Sequence, residues 1–407
     1  MMMERTIYLK KLIARKDNKL IKVITGMHGT GQSTLLLQFQ DYLRANDIPE
    51  KNIIYIDFED PAYNSLLDYH VLHEEITKRL VPSEMTYIFL DEIQHTDFFE
   101  RAVASLYLKP NVDIYITGSN AGLLSGEEAT LLSGRYVEID MLPLSFKEFM
   151  ETRDIDPEKG LAEYLKVGGL PYVATMNPSS DITDDYLEGI YNTVLVKDIE
   201  DREKRREKEG KTRRITDLGL LKNISRYLCS VIGSPVSTKS ITDYLKSNGR
   251  KVTESTIDDY LEVLSEIYLL YPVSRYDIVG KILLTTNGKY YTVDLGLRNH
   301  ILPRERYDLG FSLENIVYLE LKRRGYKVYI GKQGNTEVDF VAEKAGIITY
   351  FQVTANMTAE ETFEREMRHL KNIKDNYRKI VLTSDRLTVG NYEGIEVINL
   401  VDWLLEE

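Results

Sequence analysis

The chain has 407 residues, a length that suggests roughly two or three domains, and its formal net charge of −12 excludes a protein that coats nucleic acid by bulk attraction. One cysteine, Cys229, excludes an internal disulfide framework and a cysteine-based zinc site. With no signal-peptide core and no apolar run of about 18 residues, the expectation is a soluble cytoplasmic protein that makes no membrane contact.

The first element is an apolar strand, "IKVIT" (21–25), which runs into Gly26; after a glycine-rich loop comes "STLLLQFQDYL", whose apolar spacing is helical. Strand, glycine loop and helix in that order bind phosphate, because the backbone curls until successive N–H groups point inward at the positive end of the helix. The nucleotide-binding candidates are therefore Gly26, Met27, His28, Gly29, Thr30, Gly31, Gln32, Ser33 and Thr34. Ser33 is placed to ligate Mg2+, and the Thr34 hydroxyl and amide to reach an inner phosphate. The pattern G-x-x-x-x-G-K-[ST] is complete except at position 32, where lysine is expected and glutamine stands.

A second strand, "NIIYIDFED" (52–60), ends in Asp57, Glu59 and Asp60, which read as solvated acids. The third, "YIFLDEIQ" (87–94), ends in two acids where parallel sheets bind ligands. Asp91 suits magnesium held through water, and Glu92 suits polarising an attacking water. A fourth, "DIYITGSNAGLL" (113–124), ends in Thr117, Ser119 and Asn120, which suit hydrogen bonds to a terminal phosphate or the attacking water. Four short apolar strands separated by helical segments imply a parallel sheet covered on both faces, the additional-strand type of P-loop fold. Arg135 is the candidate for an arginine reaching a nucleotide, its own or a neighbour's, with a structural salt bridge as the competing role. A role on a neighbour's nucleotide would make the protein a homo-oligomer.

The ordered run "ITGMHGTGQSTLLLQF", "YIFLDEIQ", "ITGSNAGLLSGE", "GRYVEIDMLPLSFKEF" and "YLKVGGLPYV" resembles the prokaryotic AAA-superfamily ATPases fused to an uncharacterised nuclease-like carboxyl domain. The resemblance spans essentially the whole chain and implies an ATP/ADP-binding protein that uses Mg2+. Gln32 departs from it. A glutamine amide donates a hydrogen bond but does not neutralise charge, so binding should survive while turnover suffers, with His28 or a distant lysine as the possible substitute charge.

Residues 1–150 form the expected AAA-type ATPase core, and 151–215 a helical lid or connector packed on it, including the turn "VGGLPYV" and the basic run "REKRREKEGKTRR" (202–214). That run carries eight basic and three acidic side chains and reads as a solvated face, with phosphate contact the less favoured role. Residues 216–300 read as a winged-helix-like module with Thr238 and Thr253 as N-caps and Asn287-Gly288 as the hairpin turn. Its recognition helix presents Glu254, Asp258, Asp259, Glu262 and Glu266, which repel phosphate, so a protein contact is expected and nucleic acid is not favoured. Residues 301–407 resemble a restriction-endonuclease-like α/β domain with Glu314, Asp339 and Gln352 in the acid and [E/Q]-x-K positions. The dyad reads Gln352-Val353-Thr354, without its lysine, leaving a vestigial site or a polar cluster with Lys332. An unknown protein partner for the carboxyl modules completes the expectation.

Overall fold

The computed structural model describes residues 3–124, 128–175, 181–208, 210, 212–302 and 308–406, and the chain divides into two compact units. The first comprises residues 1–141 with 266–268, the second 142–265 with 269–407. The fold class is α/β: a five-stranded parallel sheet, a helical region, and a second sheet.

In the first unit, helix α1 (Thr6–Ile13) precedes strand β1 (Ile21–Thr25), α2 (Gln32–Ala45), β2 (Ile53–Asp57), α3 (Tyr69–Arg79), β3 (Thr86–Asp91), α4 (Phe99–Tyr107), β4 (Val112–Gly118) and β5 (Tyr136–Asp140). The order across the sheet is β2-β3-β4-β1-β5, all parallel. Strands β1, β3 and β4 are buried along their whole length, as expected where helices cover both faces. Strand β5, half exposed along "YVEID", was not among the four strands expected from sequence.

In the second unit come α5 (Phe146–Met150), α6 (Pro157–Val167), α7 (Pro171–Ala174), α8 (Asp181–Asn192), α9 (Ile199–Lys208), α10 (Leu218–Ser230), α11 (Thr238–Ser247) and α12 (Glu254–Glu266). Then follow β6 (Leu270–Asp277), β7 (Ile282–Thr292), α13 (Leu295–Ile301), α14 (Leu309–Arg323), β8 (Lys327–Gln333), β9 (Thr336–Lys344), β10 (Ile347–Thr354), α15 (Glu360–Lys371), β11 (Arg378–Thr383), β12 (Gly390–Tyr392), β13 (Ile395–Asn399) and α16 (Leu400–Leu405). Eight strands form one mixed sheet in the order β12-β13-β11-β10-β9-β8-β6-β7.

Several expectations are corrected here. Residues 151–215, expected as a lid or connector, lie within the second compact unit, where the "VGGLP" turn is tied down by buried Asp294: the Gly169 amide donates to its Oδ2 at 2.6 Å. Burial pushes the Asp294 carboxyl up to about 6 against those backbone donors. The strand pair β6–β7, expected as a wing, is the edge of the eight-stranded sheet. Its hairpin turn falls between Asp277 and Ile282, whereas Asn287-Gly288 lies inside β7. There residues 285–288 stand opposite the single Ser274, so the local turn signal is absorbed as an irregularity of the ladder. The cap of α11 is Ser237, in a capping box with Ser240; Thr238 instead donates to Asp258 at 2.7 Å. Thr253 does cap α12, accepting from the Thr256 amide at 3.2 Å.

The basic run lies on and after α9 and is neutralised by ion pairs: Arg213 with Glu200 at 2.6 Å, and Arg214 with Glu262 at 2.7 Å and Asp259 at 3.8 Å. Glu209 and Lys211 of that run lie outside the described residues, as do Ser125, Gly126 and Glu127 of the "GSNAGLLSGE" stretch. Cys229 is buried and its thiol is pushed up to about 12 by that burial, an inert core residue.

One polar pair sits in the middle of the first unit's core. Lys22 and Asp113, both essentially without solvent contact, form a salt bridge across β1 and β4; Tyr115 donates to Asp113 at 2.8 Å and Asp17 presents its amide at 2.9 Å. Burial lowers the Lys22 ammonium and raises the Asp113 carboxyl, which measures the desolvation that the pairing has to offset. Removing one partner leaves an uncompensated charge. Lys22→Ala is expected to lower unfolding free energy by about 3–5 kcal/mol, and Lys22→Met combined with Asp113→Leu to recover most of it, both read from urea unfolding.

Candidate functional site

The loop between β1 and α2 is shaped by its neighbours as much as by its own sequence. Gly26 follows β1 where Met141 crosses it, and a Cβ at position 26 would lie 2.4 Å from the Met141 carbonyl oxygen; only glycine fits. Gly29 and Gly31 take φ of 85° and 96°, in the left-handed region, and Gly31 caps α2. Thr30 closes the loop on itself, its hydroxyl donating to the Met27 carbonyl at 2.9 Å. The Met27 side chain is buried, so this residue serves the loop through its backbone, while His28 and Thr34 are half-buried and Ser33 is exposed.

Gln32 is the first residue of α2 and is buried. Its Nε2 donates to two backbone carbonyls, Gly26 at 3.2 Å and Gly118 at 3.1 Å. Both amide hydrogens are therefore taken by main chain. Two acceptors facing one end of an amide fix which end is nitrogen.

The acids arrive from β3. Asp91 is inaccessible to solvent; its Oδ1 accepts from the Thr117 hydroxyl and its Oδ2 from the Tyr55 hydroxyl at 2.9 Å. Burial raises the Asp91 carboxyl above the usual carboxylate range, against hydrogen bonds from Thr117, Ser33 and Tyr55. Ser33 and Asp91 thus meet, and their hard oxygens suit a magnesium ion. Glu92 follows with φ of +52°, a left-handed conformation that costs a non-glycine residue about 1–2 kcal/mol. Its amide donates to Thr117 at 2.9 Å and its carboxylate accepts from Gln94. Strained backbone at the end of a buried strand aims the side chain out of the ladder.

The structure brings Gln32, Ser33, Asp91, Glu92 and Thr117 to the carboxyl ends of adjacent parallel strands. Thr117, expected to face a phosphate, instead holds the two acids. Asn120 follows the same strand end, half-buried, its carbonyl accepting from the Leu123 amide at 3.0 Å. Arg135 lies elsewhere. It precedes β5 at the amino end of the sheet, its carbonyl accepting from Ile21, and its guanidinium lies over the Tyr107 ring at 5.3 Å. A five-residue strand is roughly 16 Å long, so contact with a nucleotide on its own chain's loop is corrected.

Arg5, Tyr55 and Gln94 were missed from sequence. Arg5 is buried ahead of α1, and its Nη1 donates to the Thr30 carbonyl inside the loop at 2.6 Å. No motif marks Arg5, since its partner is 25 residues away. Gln94 was visible in "LDEIQ" as the residue two beyond the second acid.

In the second unit Glu314 (α14), Asp339 (β9) and Gln352 (β10) do converge. Asp339 Oδ2 accepts from the Val353 amide at 2.8 Å, and Gln352 Nε2 donates to Glu366 at 3.0 Å. The lysine that meets the acids is Lys289 of β7, in place of the expected Lys332: its Nζ lies 2.7 Å from Glu337 and 3.5 Å from Glu314. Burial pulls the Lys289 ammonium down, and Glu314, Asp339 and Glu337 together outweigh it and raise it. Burial raises both Glu314 and Asp339, with Lys289 opposing in each case. Among the described residues no group of three or more His, Cys, Asp or Glu side chains is arranged to hold a metal ion.

Comparison with known proteins gives the class. Residues 18–150 match the family model of an AAA domain, 158–308 a domain of unknown function designated DUF8612, and 309–403 a second, DUF4143. The first unit therefore carries an AAA-type P-loop ATPase domain. An uncharacterised protein of Haemophilus influenzae is 40% identical over the whole of this chain and 99% of its own length, and one of Methanocaldococcus jannaschii is 31% identical over 96% of this chain and 86% of its own. The chain belongs to the family of these proteins. The structure is also similar to the Walker-type ATPase of Pyrococcus abyssi, with a TM-score of 0.48 and 16% identity over 74% of this chain and 95% of that one. Among the described residues no helix is long and apolar enough to cross a membrane.

The Arg5 contact is a charged hydrogen bond to the loop backbone, worth about 1.5–3 kcal/mol. Arg5→Met should weaken Mg-ATP binding about tenfold or more by titration calorimetry, with the far-ultraviolet circular dichroism unchanged.

Proposed function

We propose that the protein binds Mg-ATP on the loop 26–34 and hydrolyses it slowly, coupling nucleotide state to a protein contact made by its carboxyl modules. One observation carries the reading: both donors of Gln32 rest on the Gly26 and Gly118 carbonyls. A lysine there would bring a third proton and a full charge to the outer phosphates. Glutamine holds the loop against β4 and supplies neither. Ground-state affinity weakens by about one or two decades, while loss of preorganised charge costs roughly 100- to 1000-fold in rate.

Ser33 and Asp91 would hold magnesium, which neutralises phosphate charge when bound. Glu92 accepts a proton from the attacking water, and Asn120 lies on the strand end that faces the terminal phosphate. Arg135, half exposed on Tyr107, serves a neighbouring copy's nucleotide in this reading, so the active form is a homo-oligomer. The modules at 151–215, 216–300 and 301–407 act as connector, helical contact region and restriction-endonuclease-like scaffold. The acids of α12 and the paired basic run support a protein partner over nucleic acid. The protein works in the cytoplasm.

A second reading, a magnesium-dependent nucleic-acid enzyme, draws on Lys289, which restores a cation beside Glu314 and Asp339 that Gln352-Val353-Thr354 lacks. The same ammonium neutralises those acids from within, which favours the scaffold. A third reading, nucleotide as a structural ligand without turnover, follows if lysine at position 32 changes nothing.

Gln32→Lys should raise steady-state ATP hydrolysis roughly 100-fold or more and tighten binding by about a decade; binding by both forms without turnover by either supports the structural-ligand reading. The scaffold reading expects no Mg2+-dependent cleavage of supercoiled plasmid, and cleavage abolished by Asp339→Ala would overturn it.

A further inference from the structure

We propose that Gln94 is the positioning residue for the water that attacks the terminal phosphate, gripping Glu92 with its amide nitrogen and the water with its amide oxygen. The assignment rests on the ATPase reading above and deepens it.

Gln94 lies in the short turn Ile93–His95 that leaves β3. Its Nε2 donates to Glu92 Oε2, which fixes the direction of the carboxylate. Its Oε1 is buried and meets no donor among the described residues. A buried acceptor left in that state is costly, and such groups in native proteins mark strain or a ligand that supplies the missing donor. The surroundings say where that donor would stand. Any side chain at position 118 would come within 2.8 Å of Gln94 Oε1, so Gly118 is what admits the amide to the end of β4. The Gly118 carbonyl in turn holds Gln32 Nε2 at 3.1 Å. One residue of β4 thus carries Gln94 on one side and, on the other, the side chain at the phosphate-loop position that faces the outer phosphates.

A water between these groups has two protons and two acceptors. Glu92 takes one proton as the water oxygen bonds to the terminal phosphorus and the bond from phosphorus to the bridging oxygen breaks, the electron pair leaving with ADP. The second proton stays on the attacking oxygen, hydrogen-bonded to Gln94 Oε1, which sets the angle of approach. A glutamine meets both needs, because one side chain offers a donor to the carboxylate and an acceptor to the water. Glutamate there would repel Glu92.

The test is Gln94→Met in the full chain, carried in parallel with Gln32 and with Gln32→Lys. Mg-ATP affinity should stay within about twofold while single-turnover hydrolysis falls roughly 10- to 100-fold. A rate equal to the parent's overturns the proposal. If turnover is too slow to follow in both backgrounds, binding of ADP with aluminium fluoride decides: the parent should bind ADP about tenfold or more tighter with the fluoride than without, and Gln94→Met should lose that gain. Equal gains overturn it. Should the methionine variant fail to fold, Gln94→Glu carries the same expected losses. A parent chain that binds no nucleotide with either residue at position 32 brings down the ATPase reading itself, and the assignment with it; a parent that binds and turns over while Gln94→Met is indistinguishable from it sinks the assignment alone.

Discussion

The amide of Gln32 lies between two carbonyls that the fold cannot move. Gly26 ends β1 and Gly118 ends β4, neighbouring parallel strands whose pairing places Thr25 beside Gly118. Any residue that starts α2 must meet those oxygens, and a side chain without donors would leave them buried and unpaired. Glutamine satisfies both, so loop, helix and sheet keep their mutual arrangement without the lysine. The amide carries no positive charge, which matters little to the fold and would matter to a phosphoryl transfer, in which the electron pair leaves on the bridging oxygen of ADP.

The two ends of the parallel sheet have different jobs, and their polar groups differ accordingly. At the amino end Lys22, Asp113, Tyr115, Asp17 and Tyr87 form a closed network, with Tyr87 donating to Asp17 at 2.7 Å. At the carboxyl end burial raises the Asp91 carboxyl above its usual range against three hydroxyl donors, and Glu92 sits in a left-handed backbone. Closed networks fix geometry; strained and raised groups store the capacity to change state.

What could be read from sequence was what is local. The glycine loop and the "LDE" strand end are each a short contiguous stretch, and the alternation of strands with helices is legible one segment at a time, so the parallel sheet followed from them. Strand β5 escaped because "YVEID" is half exposed and carries an acid at its centre, a pattern shared by many surface segments. Asn287-Gly288 misled because its turn preference is real but is absorbed in an irregularity of β7. Lys289 was overlooked for the related reason that β7 read as part of a wing, while pairing along the sheet brings it to acids 25 and 48 residues further on. Arg5 and Tyr55 reach their partners through tertiary packing alone, and no spacing rule points to them.

The two acidic sites can now be told apart by how completely their atoms are satisfied. In the carboxyl sheet Glu314 has Lys289 and Tyr291, Glu337 has Lys289 and Arg275, and Asp339 has the Val353 amide. A magnesium ion or a phosphate entering there would have to displace an internal ammonium that already balances the charge. In the parallel sheet the balance is left open, with a buried glutamine oxygen that meets no donor among the described residues and a carboxylate raised by desolvation. A charged ligand gains most where the protein has not yet neutralised itself, and of the two acidic clusters that is the one at the end of β3 and β4.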